Sequence, residues 1–186
     1  MAGLKRVHDR AILDALDAID PTPFEGRVWR VTPKDREALR GSGTHGRWSP
    51  NGEFEVLYTS LERAGALTEI GHRLSLEPVW PSRLQHEIHR IEVRTERTLH
   101  IAELDTLQPL GVDVAKYQSF DYHVTQAITA AAHFLAFDGL LVPSARFPCT
   151  NLVLFLDRVI EHGRLDVRQS EPVDWAAWRK GRKPAA

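Results

Sequence analysis

Three side chains between residues 43 and 73 could act together on a bond in a dinucleotide: the guanidinium of Arg47, the ring of Tyr58 and the carboxylate of Glu69. They fall on a glycine-rich loop, a short β run and an amphipathic helical pattern. A guanidinium fork suits bidentate phosphate binding, and flanking glycine amides can assist. A carboxylate can accept from a ribose hydroxyl and stabilise positive charge developing on the sugar. Gly65, one turn before Glu69, is expected to leave open space over that carboxylate, because helical side chains lean toward the N-terminus. Each residue also has an ordinary reading. Arg47 can stack on Trp48, Tyr58 can be an interior ring with its hydroxyl satisfied, and Glu69 can face solvent or pair with Arg73. Pattern alone leaves both readings open.

Arg30 is the odd member of an apolar β run, Arg27-Val28-Trp29-Arg30-Val31, and wants either a bound anion or a helix carboxylate. The histidines show no metal-ligand spacing; His123 and His133 lie ten apart on one helical pattern and face different directions. No phosphate-binding P-loop, dinucleotide GxGxxG, GxSxG or HExxH sequence is present, so the common nucleotide-binding and hydrolase readings fail.

Composition narrows the class. The chain has 186 residues without a visible repeat, which predicts one domain. Its 24 basic and 25 acidic residues nearly cancel, to a formal charge of -1, which argues against bulk nucleic-acid binding and direct contact with DNA. The single cysteine, Cys149, excludes an internal disulfide and a cysteine-rich metal site. The first twenty residues are charged throughout, and no run approaches a membrane span, so the expectation is a soluble cytoplasmic protein.

The elements that must position these residues follow from periodicity. Residues 7–19 read as a helix with Ile12, Leu13, Leu16 and Ile19 on one stripe, closed by Pro21 and Pro23. After the β run at 27–31, Thr32-Pro33 reads as the start of a short helix reaching about residue 39, and residues 41–46 as a loop. Residues 54–59 read as a strand, with Ser60 capping a helix over 61–74. Residues 85–93 and 98–104 read as two strands, 108–121 as a mobile loop, and 122–137 as an alanine-rich helix stopped by Gly139. The apolar runs 140–142 and 151–156 read as buried central strands, and 164–168 as an edge strand. Trp175 and Trp178 sit on a final short helix, followed by a frayed GRKPAA tail. The pattern predicts an α+β protein: a mixed, mostly antiparallel sheet with packed helices.

Taken in order, several of these segments resemble the RES-domain toxins of bacterial toxin–antitoxin systems. They are Val28-Trp29-Arg30-Val31, Gly46-Arg47-Trp48, Val56-Leu57-Tyr58-Thr59-Ser60, Ala66-Leu67-Thr68-Glu69, Thr125-Gln126-Ala127-Ile128, Leu141-Val142-Pro143-Ser144-Ala145 and Asn151-Leu152-Val153-Leu154-Phe155. The resemblance covers residues 26–160. Residues 1–22 then form an N-terminal helical extension, and 161–186 a C-terminal strand and helix.

The resemblance implies a fold related to ADP-ribosyltransferases and an enzyme that cleaves the nicotinamide–ribose bond of NAD⁺, with phosphate or water as acceptor, inhibiting growth. Carried over, Arg30 and Arg47 would hold the pyrophosphate or an attacking phosphate, Tyr58 would stack against the nicotinamide–ribose end, and Glu69 would bind the ribose and stabilise its oxocarbenium-like transition state. The family's serine position falls on His123, with Ser119 and Thr125 nearby; Ser144 is a separate candidate. NAD⁺ enters as substrate, with no metal and no permanently bound cofactor, and the implied partner is an Xre-family helix-turn-helix antitoxin whose C-terminal segment blocks the active-site mouth. Two other readings stand beside this one: a protein ADP-ribosyltransferase, and a catalytically inactive binding module in which Glu69 pairs with Arg30 or Arg73.

Overall fold

The computed structural model describes residues 7–50 and 52–182. The elements run α1 (Arg10–Asp17), β1 (Thr22–Pro33), β2 (Val56–Ser60), α2 (Arg63–Ser75), β3 (His86–His100), α3 (Leu104–Leu107), two 3₁₀ turns (Gln108–Leu110 and Val114–Lys116), α4 (His123–Phe134), β4 (Gly139–Pro143), β5 (Thr150–Phe155), α5 (Leu156–His162), β6 (Arg164–Pro172) and α6 (Trp175–Lys180).

The strands form one mixed sheet in the order β1-β2-β5-β4-β3-β6, in which only the β3–β4 pair is parallel. β1 also pairs along β3, from Thr22 opposite Thr98 to Pro33 opposite His86. The five strands β1, β2, β5, β4 and β3 therefore close into a ring, and β6 lies on the outer edge of β3. Strand alternation sorts the side chains. Val28, Leu57, Ile91, Val93, Leu141, Leu152 and Leu154 fill one cluster, contributed by all five ring strands. Val56, Leu140, Val142, Val153 and Phe155, their sequence neighbours, pack under α1 and α4. Val31 and Ile88 lie with Ala66, Leu67 and Leu74 of α2 and with Trp175 of α6.

Helix α1 packs on this chain's own core. Leu16 is fully buried in this chain's own core, and Asp9 caps the helix by accepting from the amides of Ala11 and Ile12. β4 and β5 lie centrally, as the apolar runs 140–142 and 151–156 predict, with Leu156 already the first residue of α5.

Elsewhere long-range pairing overrides local signals. Residues 85–93 and 98–104 are one strand, β3, to His100, because β1 pairs through the polar interval between them. The helix expected from Thr32-Pro33 does not form: Pro33 is the last residue of β1, and turns follow. The 108–121 stretch is built from two 3₁₀ turns and buries Leu110, Val112 and Tyr117. Ala136, at φ 61°, makes the left-handed turn after α4. Gly139 instead opens β4, where a Cβ would stand 2.5 Å from the Val153 carbonyl oxygen. The N-cap residue of α2 is Glu62, and Ser60 Oγ accepts from its amide at 3.3 Å. Of the tail, residues 183–186 lie outside the described residues.

Candidate active site

Glu69 sits midway along α2, half-buried, and its carboxylate points at the turn between β4 and β5. Ser144 donates from Oγ to Glu69 Oε1 at 2.5 Å, and Asn151 donates from Nδ2 to the same oxygen at 3.2 Å. Ser144 is itself held, since its Oγ accepts from the amides of Arg146 and Phe147. Its own amide donates to the Cys149 carbonyl, closing the turn. Asn151 is placed by the sheet, opposite Ser60 of β2 and Val142 of β4. Among the described residues Oε2 of Glu69 accepts no hydrogen bond, and no ion pair joins Glu69 to Arg30 or Arg73. The pairing on which the inactive-module reading depends is therefore not made.

The space expected over Gly65 is filled: a Cβ there would lie 2.4 Å from Cys149 Sγ and 2.5 Å from Ser60 Oγ. Glycine at this position allows α2 to approach the sheet, which brings Glu69 within reach of Ser144. Burial raises the Cys149 thiol pKa, with the hydroxyl of Ser60 acting the other way.

Arg47 lies within electrostatic reach of Glu69. Its guanidinium lies 4.7 Å from the Tyr117 ring centre and 4.9 Å from that of Tyr122, and Nη2 donates to the Ser119 carbonyl at 3.0 Å. Trp48, 2% exposed, is buried in the core, so tyrosines take the stacking role expected of it. The loop carrying Arg47 is tied to α4: Thr125 Oγ1 donates to the Arg47 carbonyl at 2.5 Å, and Gln126 Nε2 to the carbonyls of Gly46 and Ser49. Tyr117 donates to the Pro143 carbonyl at 2.7 Å, next to Ser144, which joins the aromatic wall to the Glu69 turn. Burial lowers the Arg47 pKa, the two tyrosines and Glu69 raise it, and Arg146 lowers it. The Arg47 guanidinium thus lies in the field of both the carboxylate and a second arginine.

Tyr58 has its hydroxyl committed. It accepts from the Trp48 amide at 2.9 Å, and burial pushes the phenol well above its ordinary range. Gly46 is required beside it, because a Cβ would stand 2.8 Å from the Tyr58 hydroxyl. Arg30 does not turn toward Glu69. Its two terminal nitrogens donate to the carbonyls of Tyr58 (2.9 Å) and Arg40 (3.0 Å), its Nε has no partner among the described residues, and burial together with Arg36 pulls its pKa down to about 10. His123 lies apart, at the N-terminus of α4, beside Val7, Ile12, Pro109 and Gly111.

The structure therefore brings together Glu69, Ser144, Arg47 and, behind them, Tyr58; Arg30 supports the β2 backbone, and His123 stays outside. Sequence reasoning gave no site role to Asn151, Tyr117, Tyr122 or Arg146. Asn151 carried a usable signal, as a polar residue opening an otherwise apolar buried strand. Among the described residues no group of three or more His, Cys, Asp or Glu side chains is placed to hold a metal ion.

A curled, mostly antiparallel sheet carrying a serine-held glutamate on its flanking helix, faced by a guanidinium from a tethered loop, defines the class. The chain belongs to the RES domain family, whose model matches residues 27–176. Among curated proteins it is 32% identical over 170 residues to the probable NAD(+) phosphorylase Rv3189 of Mycobacterium tuberculosis, covering 87% of this chain and 80% of that one. It is 24% identical over 168 residues to the NAD(+) phosphorylase MbcT of Mycobacterium bovis, with 87% and 90% covered. Its fold matches a chain in the crystal structure of the M. tuberculosis MbcT–MbcA toxin–antitoxin complex, at TM-score 0.79 and 22% identity, over 92% of this chain and 97% of that one.

Proposed function

We propose that this chain is the toxin of a toxin–antitoxin pair and an NAD⁺ phosphorylase: it cleaves the nicotinamide–ribose bond and transfers the ADP-ribosyl group to inorganic phosphate. The observation that carries the reading is the Glu69 carboxylate, fixed through Oε1 by Ser144 and Asn151, with Oε2 accepting no hydrogen bond among the described residues and the Arg47 guanidinium within electrostatic reach. Two relatives named as NAD(+) phosphorylases, aligned over 87% of the chain, support it.

In this reading Arg47 holds the pyrophosphate, its plane set by Tyr117 and Tyr122. Glu69 accepts a ribose hydroxyl on Oε2 and shields the oxocarbenium-like sugar as the bond lengthens. Nicotinamide leaves as a neutral ring, taking the bonding pair, so no general acid is needed. Ser144 and Asn151 lock the carboxylate so that it need not reorganise during the reaction. Arg30 and Tyr58 act behind the site: Arg30 holds the Tyr58 carbonyl, and the Tyr58 hydroxyl holds the Trp48 amide next to Arg47. The chain works as a single RES domain in the cytoplasm, where NAD⁺ is its substrate, and an Xre-family antitoxin covers the cleft. No helix among the described residues is long and apolar enough to cross a membrane.

The test is purified protein with NAD⁺, with and without inorganic phosphate, reading nicotinamide release and the ADP-ribosyl product. Phosphate-dependent release yielding phosphorylated ADP-ribose is expected. Phosphate-independent release would make the protein a hydrolase. Release only with host protein present, with label from the adenylate on that protein, would make it an ADP-ribosyltransferase.

A further inference from the structure

We propose that Tyr117 is a positioning residue that couples Arg47 to Glu69 through two parts of one side chain. Its ring sets the plane of the Arg47 guanidinium, and its hydroxyl holds the peptide unit that aims Ser144 at Glu69. The inference rests on the NAD⁺-cleavage reading above, in which Arg47 takes the pyrophosphate and Glu69 the ribose. Tyr117 directly follows the second 3₁₀ turn, whose start Asp113 caps by accepting from the Ala115 amide. It is buried in the core cluster that also holds Leu110 and Ile128. A phenol buried in this way needs a partner for its hydroxyl. That partner is the Pro143 carbonyl, at 2.7 Å. The same peptide unit carries the Ser144 amide, which donates to the Cys149 carbonyl at 2.9 Å. Because the unit is planar, bonds at its two ends fix the plane from which the Ser144 side chain departs. Ser144 then donates to Glu69 Oε1 at 2.5 Å.

The ring does separate work. It lies 4.7 Å from the Arg47 guanidinium carbon, and Ser119, two residues on, offers its carbonyl to Arg47 Nη2 at 3.0 Å. One short segment thus gives the guanidinium both a face and an acceptor. Burial holds the Tyr117 phenol above its ordinary range, with Arg47 acting the other way, so the hydroxyl stays protonated and remains a donor. The other tyrosines do not make this link. Tyr122 stacks on Arg47 at 4.9 Å, but its hydroxyl makes no hydrogen bond among the described residues. The Tyr58 hydroxyl holds the Trp48 amide instead. The pyrophosphate and the nicotinamide-bearing ribose belong to one molecule, so the groups that grip them must keep a set separation. A misplacement of about 1 Å in such a site costs on the order of a hundredfold in rate.

The experiment is steady-state kinetics of Tyr117→Phe, Tyr117→Leu, Ser144→Ala and the Tyr117→Phe/Ser144→Ala double variant, together with backbone amide hydrogen exchange. Tyr117→Phe keeps the ring and loses the hydroxyl, so kcat should fall about fivefold or more with the KM for NAD⁺ within about twofold of wild type. The double variant should be no slower than Ser144→Ala alone, within about twofold, because the hydroxyl acts through Ser144. Tyr117→Leu, which also strips the ring from Arg47, should add a rise of about fivefold or more in the KM for NAD⁺. If the Leu variant does not fold, the Phe variant and the double-mutant cycle decide alone. Unchanged kcat in Tyr117→Phe, or losses that simply multiply in the double variant, would overturn the proposal. Exchange at the Ser144 amide should quicken about fivefold or more in Tyr117→Phe while the amides of α4 keep their wild-type rates. Equal quickening in α4 would reduce Tyr117 to a core residue, and unchanged exchange at Ser144 would remove the tie. Wild-type protein that releases no nicotinamide would strike the NAD⁺-cleavage reading, whereas the exchange measurement needs no turnover and still decides the tie.

Discussion

Ser144 Oγ stands 2.5 Å from Glu69 Oε1, across a separation of 75 residues. The serine hydroxyl donates its hydrogen bond to the carboxylate while two backbone amides of its own turn donate to its oxygen, so its orientation is set on both sides. A carboxylate held in this way has one oxygen committed to the protein, while the other accepts no hydrogen bond among the described residues.

Replacing Glu69 by Gln should preserve the fold and lower NAD⁺ cleavage by about a hundredfold or more, since the side chain that shields the cationic sugar loses its charge. Nicotinamide release and a thermal melt on the same preparation check this. Near-wild-type turnover would remove Glu69 from the centre of the chemistry.

Ser144→Ala should act more gently. It removes a hydrogen bond to a charged group, worth about 1.5–3 kcal/mol, and frees the carboxylate to rotate. The expected result is a fall of about tenfold or more in kcat with a smaller change in the KM for NAD⁺. A change in KM alone would show that the serine touches substrate rather than Glu69.

Arg30→Met separates a supporting role from a phosphate-binding one. Two carbonyls, of Tyr58 and Arg40, would lose their donors, at about 1–3 kcal/mol for each buried group left unpaired. Urea denaturation should show the loss, while the KM for NAD⁺ of the folded fraction stays within a few-fold. A steep rise in that KM with unchanged stability would instead place Arg30 on the dinucleotide.

Gly139→Ala should be among the most damaging small substitutions, because the new methyl would meet the backbone oxygen of Val153 at 2.5 Å, in the middle of the sheet. A cost of about 1–3 kcal/mol or more is expected from overpacking. Ala at Gly52, where no atom lies within 4 Å, serves as a control for the left-handed backbone strain alone.

Stability should fall on mild acidification. Burial lowers the pKa of both His86 and His89; for His89, Glu87 acts against this and Arg30 with it. His89 is wedged between Thr32 Oγ1 at 2.8 Å and Ser170 Oγ at 2.7 Å. A folded-state pKa below the unfolded value of about 6.5 means that the unfolded chain binds protons first. The contribution is therefore fully present above that pH and is lost as pH drops through the lowered folded values. Urea midpoints measured between pH 7.5 and pH 5 should decline, and His89→Gln should flatten the decline; an equally steep curve in that variant would assign the effect elsewhere.

What the sequence determined by itself was whatever rests on neighbours a few residues apart. The 3.6-residue stripe of α4, the unbroken apolar runs of β4 and β5, and the placement of Glu69 on a helix following the Tyr58 strand are of this kind. So is family membership, which short segments in a fixed order carry. The tertiary structure decided which polar groups meet. Trp48 went to the core and left Arg47 to Tyr117 and Tyr122; Arg30 found the carbonyls of Tyr58 and Arg40; Ser144 reached Glu69. A hydrogen bond depends on a few tenths of an ångström between groups brought together by strand register and by close approach at Gly65, and neither leaves a periodic trace in the chain.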